Sequence, residues 1–295
     1  MHLIVFGLGY TGTAIARAAA AAGLRVSAAT RDPAAARTPS GVEVRAFAAA
    51  PQPLRSATHL LATAPPDASG DPVLAAHAKA IESASALRWI GYLSTTGVYG
   101  DRGGGWVEET TPVAPSSDRS RRRVHAEQAW LAFANHRAAD IFRLAAIYGP
   151  GRSPFADLRA GRARRILKPG HAFGRIHRDD IVQAVLAAIR QNPPPGPRIF
   201  NLVDDEPAEN AEVIAEAARL LGFAPPTAIP YAEAEPAMSE IARSFWAENR
   251  KASSAQTKEK LAIAWRYPSY REGLRAILAE EAGDGPPQQH EVLRP

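Results

Sequence analysis

The chain reads as an α/β protein built on a doubly wound parallel sheet, and three observations point there. Apolar runs of strand length recur along the sequence with helical stretches between several of them, the alternation that a parallel sheet covered on both faces requires. The first run, His2-Leu3-Ile4-Val5-Phe6, passes straight into Gly7-Leu8-Gly9-Tyr10-Thr11-Gly12 and then into an Ala-rich helical stretch ending at Ala22. The composition, 46% hydrophobic and 22% charged over 295 residues, is that of a globular chain able to bury a large core.

The elements follow in order. After the first strand and helix, Leu24 to Ala29 is the second strand, and Val42 to Phe47, Thr58 to Thr63, Leu87 to Ser94, Ala139 to Leu144 and Arg198 to Val203 are further apolar runs of strand length. Helical periodicity covers Asp71 to Ala84, Arg121 to Ala134, Asp179 to Arg190 and Ala208 to Leu221. Pro193-Pro194-Pro195-Gly196-Pro197 is a stiff turn into the last strand. Residues 1–150 with 179–204 are expected to form the sheet domain, and 151–178 with 205–283 a smaller C-terminal substrate lobe over the carboxyl ends of the strands. Residues 284–295, poor in apolar side chains, are expected to be a disordered tail.

The glycine turn fixes a ligand class. A buried strand turning sharply into a helix aims backbone N–H groups at one spot, where the helix dipole adds positive potential, and a pyrophosphate suits that spot. Gly7 permits the turn, Gly9 lets a ligand approach the backbone, and Gly12 lets helix and strand pack closely. The sheet is therefore of Rossmann type and the ligand a dinucleotide. An acid about 20 residues further on would bind the ribose 2′-hydroxyl of NAD. Thr30-Arg31 stands there instead, and a guanidinium pairs with a 2′-phosphate, so NADP is expected. Asp32 keeps NAD as the alternative.

Charge and composition exclude other classes. The net charge of +5 comes mostly from arginines spread along the chain, densest at Arg119, Arg121, Arg122 and Arg123 and between Arg159 and Lys168. Without interleaved aromatics this favours small anionic ligands over nucleic acid. The absence of cysteine removes disulfides, thiolate metal sites and a cysteine nucleophile, and fits a reducing cytoplasm. No signal peptide and no membrane span are read, since no window approaches ~18 consecutive apolar residues. Oligomeric state is not legible.

The run Leu93-Ser94-Thr95-Thr96-Gly97-Val98-Tyr99-Gly100 ends the central strand with three hydroxyls, where an open parallel sheet places its crevice. With the glycine turn, Arg143-Leu144-Ala145-Ala146-Ile147-Tyr148-Gly149-Pro150, Ile176-His177-Arg178-Asp179-Asp180 and Phe200-Asn201-Leu202, the chain resembles the extended short-chain dehydrogenase/reductase family of nucleotide-sugar epimerases and dehydratases. The resemblance runs almost end to end. It implies a dinucleotide held by Gly7, Gly9, Tyr10, Thr11, Gly12, Thr30, Arg31, Ala64, Arg123 and Tyr148, with Thr95 bonding the reacting oxygen. It also implies a Tyr and, four residues later, a Lys for proton transfer. Counting back from Glu127, which matches a family Glu, those positions hold Arg119 and Arg123. No tyrosine lies between Tyr99 and Tyr148 and no lysine between Lys79 and Lys168, so a shifted register does not restore the pair. A phenol with pKa near ~10 can be tuned towards neutrality; an arginine protonated above ~12 is a poor acid or base. Thr96 stands where dehydratases of the family carry an acid. The chain thus resembles the atypical members of the family.

The expectation is an NADP(H)-binding protein, either an epimerase or reductase acting on a small anionic substrate such as a nucleotide sugar, or a catalytically silent NADP(H) sensor or partner-binding module. His125 is weighed as a catalytic group, histidine being the side-chain type that exchanges protons near neutral pH, but it is set about 200° around the helix from Glu127 and equally suits the surface. His177, Asp179 and Asp180 are read as a helix start, with an Asp as N-cap, rather than as a metal site. Tyr99 and Tyr148 are assigned to core or cofactor packing and Arg143 to the strand end. Arg152, Arg175, Arg243 and Arg250 are the candidates for the anionic part of a substrate.

Overall fold

A computed structural model describes residues 1–34 and 38–283. The tail expected over 284–295 lies outside the described residues. The central sheet contains seven strands: β1 His2–Phe6, β2 Arg25–Thr30, β3 Val42–Ala46, β4 His59–Ala62, β5 Trp89–Thr95, β6 Ala138–Leu144 and β7 Gly196–Leu202. They lie in the order β7-β6-β5-β4-β1-β2-β3 and every pair is parallel. The order reverses between β1 and β4, and an open parallel sheet binds ligands outside the carboxyl ends of the strands at such a reversal.

Side chains alternate across the sheet, so each strand feeds two cores. Leu3 and Val5 of β1 point to one face, where Ile15, Ala16 and Ala19 of helix α1 (Tyr10–Ala21) meet Ile181, Ala184 and Val185 of a helix at Arg178–Arg190. Ile4 and Phe6 point to the other, against Val73 and Ile81 of α2 (Pro72–Glu82) and Ala126 and Trp130 of α3 (Asp118–Leu131). β1, β4 and β6 are buried along their whole length because both faces are covered, whereas the edge strand β3 carries Glu43 and Arg45.

Helix starts follow local capping. Asp71 accepts from the backbone N–H of Val73 (2.9 Å) and Leu74 (3.0 Å), with Pro72 at the first helical position. Ser117 accepts from Ser120 N, so α3 begins at Asp118, three residues before the expected Arg121, and takes in Arg119. The Arg178–Arg190 helix, α4, corrects an expectation: its N-cap is His177, whose Nδ1 accepts from Asp179 N at 3.2 Å, while both aspartates lie in the first turn. Helix α5 (Asn210–Leu220) starts on a capping box between Glu209 and Glu212.

Residues beyond the sheet build cores of their own. Phe155 and Leu158 pack with Val213, Ile214 and Ala217 of α5 and Leu274 and Ile277 of α6 (Tyr270–Glu281). Ile166, Ala234 and Trp246 form a second cluster with Phe173 and Tyr231. The division is not a clean cut in sequence, because Leu261 and Trp265 pack into the sheet core. Asp180 supplies the tie: fully buried in α4, it accepts from Arg266 N at 2.7 Å and Tyr267 N at 3.1 Å. Among the described residues no helix is long and apolar enough to cross a membrane.

Burial raises the Asp180 carboxyl pKa from 3.8 to about 7 despite the two N–H donors. A carboxyl raised on folding favours the folded state below pH 3.8, and that contribution is lost as pH rises through about 7. Relative to Asp180→Asn, which cannot ionise, the wild type should lose a few kcal/mol of unfolding free energy over this window, at about 1.4 kcal/mol per pKa unit. Urea denaturation of both proteins at several pH values measures the difference; parallel pH profiles would refute it.

Candidate active site: a dinucleotide cleft with an arginine wall

At the carboxyl ends of β1, β4, β5 and β6 lies a cleft of about 540 Å³. One end is the glycine turn. Gly7 has φ +104°, in the region that favours glycine. A Cβ on Gly12 would fall 2.1 Å from Gly7 O, so no side chain fits between helix and strand. A Cβ on Gly9 would meet no atom within 4 Å, and Gly9 lines the cleft. Helix α1 receives no side-chain cap and has no acid in its first turn, so its N-terminal backbone donors and positive dipole end remain uncompensated by the chain. Thr63, past the end of β4, donates to Gly7 O at 2.9 Å and to Phe6 O at 3.0 Å and fixes the turn from the far side of the sheet reversal. These features fit a pyrophosphate.

The other end is the tip of β5. Of its three hydroxyls, Ser94 is buried and donates to Glu127 Oε1 at 2.5 Å. Thr95 Oγ1 accepts from Gly97 N at 3.1 Å, which leaves its own O–H to donate, and it lines the cleft together with Thr96. Glu127 in turn takes Arg143 Nη2 at 2.8 Å, and the Arg143 guanidinium lies 4.8 Å from the centre of the Tyr99 ring. Tyr99 donates to Asn201 Oδ1 at 2.8 Å. This network is buried behind the cleft and holds β5, α3, β6 and β7 together.

Arg119 and Arg123, one turn apart on α3, form the wall beside Thr95. Arg123 Nη1 donates to Leu93 O at 2.7 Å and to the Tyr92 hydroxyl at 2.9 Å. The Arg119 guanidinium lies 5.0 Å from the ring centre of Phe245, and burial, then the like charge of Arg123, lowers its pKa from the usual arginine value. Arg152 and Arg250 also line the cleft, and Arg250 is paired with Glu248.

The sequence candidates separate on the structure. Gly9, Tyr10, Thr11, Gly12, Thr95, Arg119 and Arg123 come together in the cleft. Gly7, Thr30, Arg31 and Ala64 are not part of its lining; Arg31 is exposed just past the end of β2. Of the two places expected for Tyr148, core or cofactor packing, the structure shows core packing: it is buried, donates to Ser269 O at 3.2 Å and packs edge-on against His177, outside the cleft lining. Arg175 is likewise turned inward, donating to Phe173 O and Ala208 O, and Arg243 is exposed outside the lining. His125 faces solvent. Burial holds the His177 ring neutral, with its pKa lowered to about 4, and no group of His, Asp and Glu among the described residues is arranged to hold a metal ion. The sequence reading missed Thr63, Phe245 and Glu248. Thr63 was open to detection, being a hydroxyl at the end of the strand flanking the reversal; the other two sit in a lobe segment that carries no motif.

Known proteins with this architecture agree with the geometry. The chain is 32% identical to Protein YeeZ of Escherichia coli K12 over 242 residues, 75% of this chain and 84% of that one. A solved structure of a functionally unknown conserved protein from Silicibacter pomeroyi is 44% identical, covers 95% of this chain and 99% of its own, and superposes with a TM-score of 0.86. The human epimerase family protein SDR39U1, solved with NADPH, shares the fold at a TM-score of 0.77 and 19% identity, over 94% of this chain and 99% of its own. The sequence profile of the NAD dependent epimerase/dehydratase family matches residues 3–202, the span from β1 to the end of β7, and the chain belongs to that family.

Proposed function

We propose that the chain is an NADP(H)-binding, reductase- or epimerase-like member of the family that works in the cytoplasm on a small anionic substrate without the Tyr–Lys pair. The carrying observation is the continuity of the cleft, which runs from the open backbone at Gly9 to the free hydroxyl donor of Thr95 and the Arg119–Arg123 wall. A bound nicotinamide would supply or accept hydride.

The chain's own residues divide the remaining work. Gly9, Tyr10, Thr11 and Gly12 present the α1 N-terminus to the pyrophosphate. Arg31, exposed at the end of β2, is the cation offered to a 2′-phosphate. The Asp32 carboxylate accepts from Ala34 N at 3.1 Å, which turns one of its oxygens to its own loop. Thr95 donates to the substrate oxygen and Arg123 supplies a fixed positive charge beside it. Proton exchange is the weak point. The titratable groups in the lining are Tyr10, Glu248 and the four arginines; Tyr10 is committed to Pro150 O at 3.0 Å with its pKa raised by burial, and Glu248 is held by Arg250 and Ser116. That observation keeps a second reading in view, a silent NADP(H) sensor with the same cleft.

NADPH should bind more tightly than NADH. Arg31→Ala should weaken NADPH by about 1–3 kcal/mol, the value of a charge-assisted hydrogen bond, and leave NADH unchanged. Fluorescence titration of both reduced cofactors decides it, and equal affinities that ignore the substitution would remove NADP from the reading.

Gly9→Val places a side chain in open cleft space, so circular dichroism should stay as in wild type while calorimetry shows binding of both dinucleotides lost. Undiminished binding would mean that the turn holds no pyrophosphate.

Turnover is read from NADPH absorbance and product analysis against nucleotide sugars and small carbonyl acids. Thr95→Val should lower it by about tenfold or more if the hydroxyl bonds the transition state. Turnover that ignores this change would misplace the site; silence of the wild type across the panel, with NADPH bound, would select the sensor.

A further inference from the structure

We propose that Arg119 and Arg123 clamp the oxyanion of a small acid, a carboxylate or phosphate seated beside Thr95, and that the substrate is such an acid rather than a nucleotide sugar. This rests on the reading of the cleft as a shared dinucleotide and substrate site.

The first argument is electrostatic. Two arginines at positions i and i+4 lie on one helix face, and like charges so placed destabilise a helix unless something compensates them. Both face the cleft. Burial first and the charge of Arg123 second depress the Arg119 pKa, and the Glu248 carboxylate only partly opposes them. Yet among the described residues neither has a carboxylate within ion-pairing distance: on the same helix Asp118 pairs with Arg121, and the one carboxylate in the cleft lining, Glu248, pairs with Arg250. Four arginines against one carboxylate leave the cleft with positive charge that an anionic ligand would neutralise.

The second argument is geometric. The Arg119 guanidinium lies over the Phe245 ring, 5.0 Å from its centre. A guanidinium held over a ring keeps its N–H groups at its edge, the arrangement that meets an oxyanion in a bidentate fork. Arg123 is fixed by Leu93 O and the Tyr92 hydroxyl through Nη1 alone. The pair thus places two oriented cations next to the Thr95 hydroxyl, which still has a hydrogen to donate.

The third argument is size. The cleft of about 540 Å³ spans both the glycine turn and the arginine wall, and ~300–1,000 Å³ ordinarily serves one drug-sized ligand. With the nicotinamide end of a dinucleotide inside it, the remainder suits a molecule of few heavy atoms.

The test uses the full chain, with pyruvate, oxalate, inorganic phosphate and UDP-glucose as probes, in calorimetry with and without NADPH. At least one of the three small acids should bind, with Arg119→Gln weakening it about tenfold or more and Arg119→Lys recovering part of the loss. Arg119→Gln should weaken the acid by a larger factor than it weakens NADPH. Preference for pyruvate or oxalate identifies a carboxylate substrate, and preference for phosphate a phosphorylated one. A second readout does not depend on a folded variant: the bound acid should protect wild-type Arg119 from an arginine-modifying dicarbonyl, read by mass spectrometry. Binding indifferent to Arg119, absence of that protection, or UDP-glucose binding where the acids do not, overturns the clamp. NADPH binding without any acid binding overturns the clamp alone, whereas acid binding without NADPH binding overturns the proposed function and leaves the clamp standing.

Discussion

The contact on which the rest of this structure depends is the approach of helix α1 to strand β1 at Gly12 and Gly7, where a methyl group would lie 2.1 Å from a carbonyl oxygen. Because no side chain intervenes, the helix start sits directly over the strand end, and Thr63 from the neighbouring strand can bond both Phe6 O and Gly7 O. The same closeness seats Ile15, Ala16 and Ala19 in the core formed with α4. A bulkier residue at Gly12 would push the helix outward, and both the uncapped N-terminus and the core beneath it would move. Fold and ligand site are therefore set by one steric condition.

Behind the other end of the cleft a different principle operates. Ser94, Glu127, Arg143, Tyr99 and Asn201 form a chain of buried polar contacts, extended by Glu109, which accepts from Asn201 N at 3.2 Å and from Thr257 Oγ1 at 2.6 Å. Burying such an ion pair is weak evidence for stability, since desolvation offsets much of the attraction. Its effect is positional: the central strand tip, α3 and the two outer strands are locked in one register, with a residue of the C-terminal segment at the end of the chain of contacts. Locked in this way, α3 turns Arg119 and Arg123 into the cleft while His125 faces solvent and Glu127 is buried. Arg119 and Arg123 therefore owe their place in the cleft lining to a network that lies behind it.

Much of the fold was legible in sequence because it follows from local rules. Strands buried on both faces must be apolar throughout, and β5, β6 and β7 fall within a residue or two of the runs that announced them. The departures are at helix starts, where a single cap decides. Ser117 draws Arg119 into α3, and His177 displaces the expected aspartate because its ring nitrogen reaches Asp179 N. Asp180 is then released to tie the C-terminal segment to α4, a long-range role that no local pattern encodes.

The sequence by itself determined the parallel sheet and the glycine turn with its ligand class, because these depend on residue type at fixed spacing along one strand, turn or helix. Tertiary structure alone decided which tip hydroxyl is committed to a buried partner and which arginines share the cleft. Ser94 and Thr95 are neighbours in the chain, yet the pleat of β5 sends one into the Glu127 network and leaves the other at the opening. Arg152 and Arg250 reach the cleft and Arg175 and Arg243 do not, although all four come from segments of similar composition. Tyr148 sits in a motif yet turns away, its hydroxyl on Ser269 O and its ring beside Gly273, where a side chain would collide with it. The physical reason is common to all of these: the direction of a side chain at a strand end or in a loop is fixed by what packs against it from distant parts of the chain, and sequence spacing carries no record of that packing.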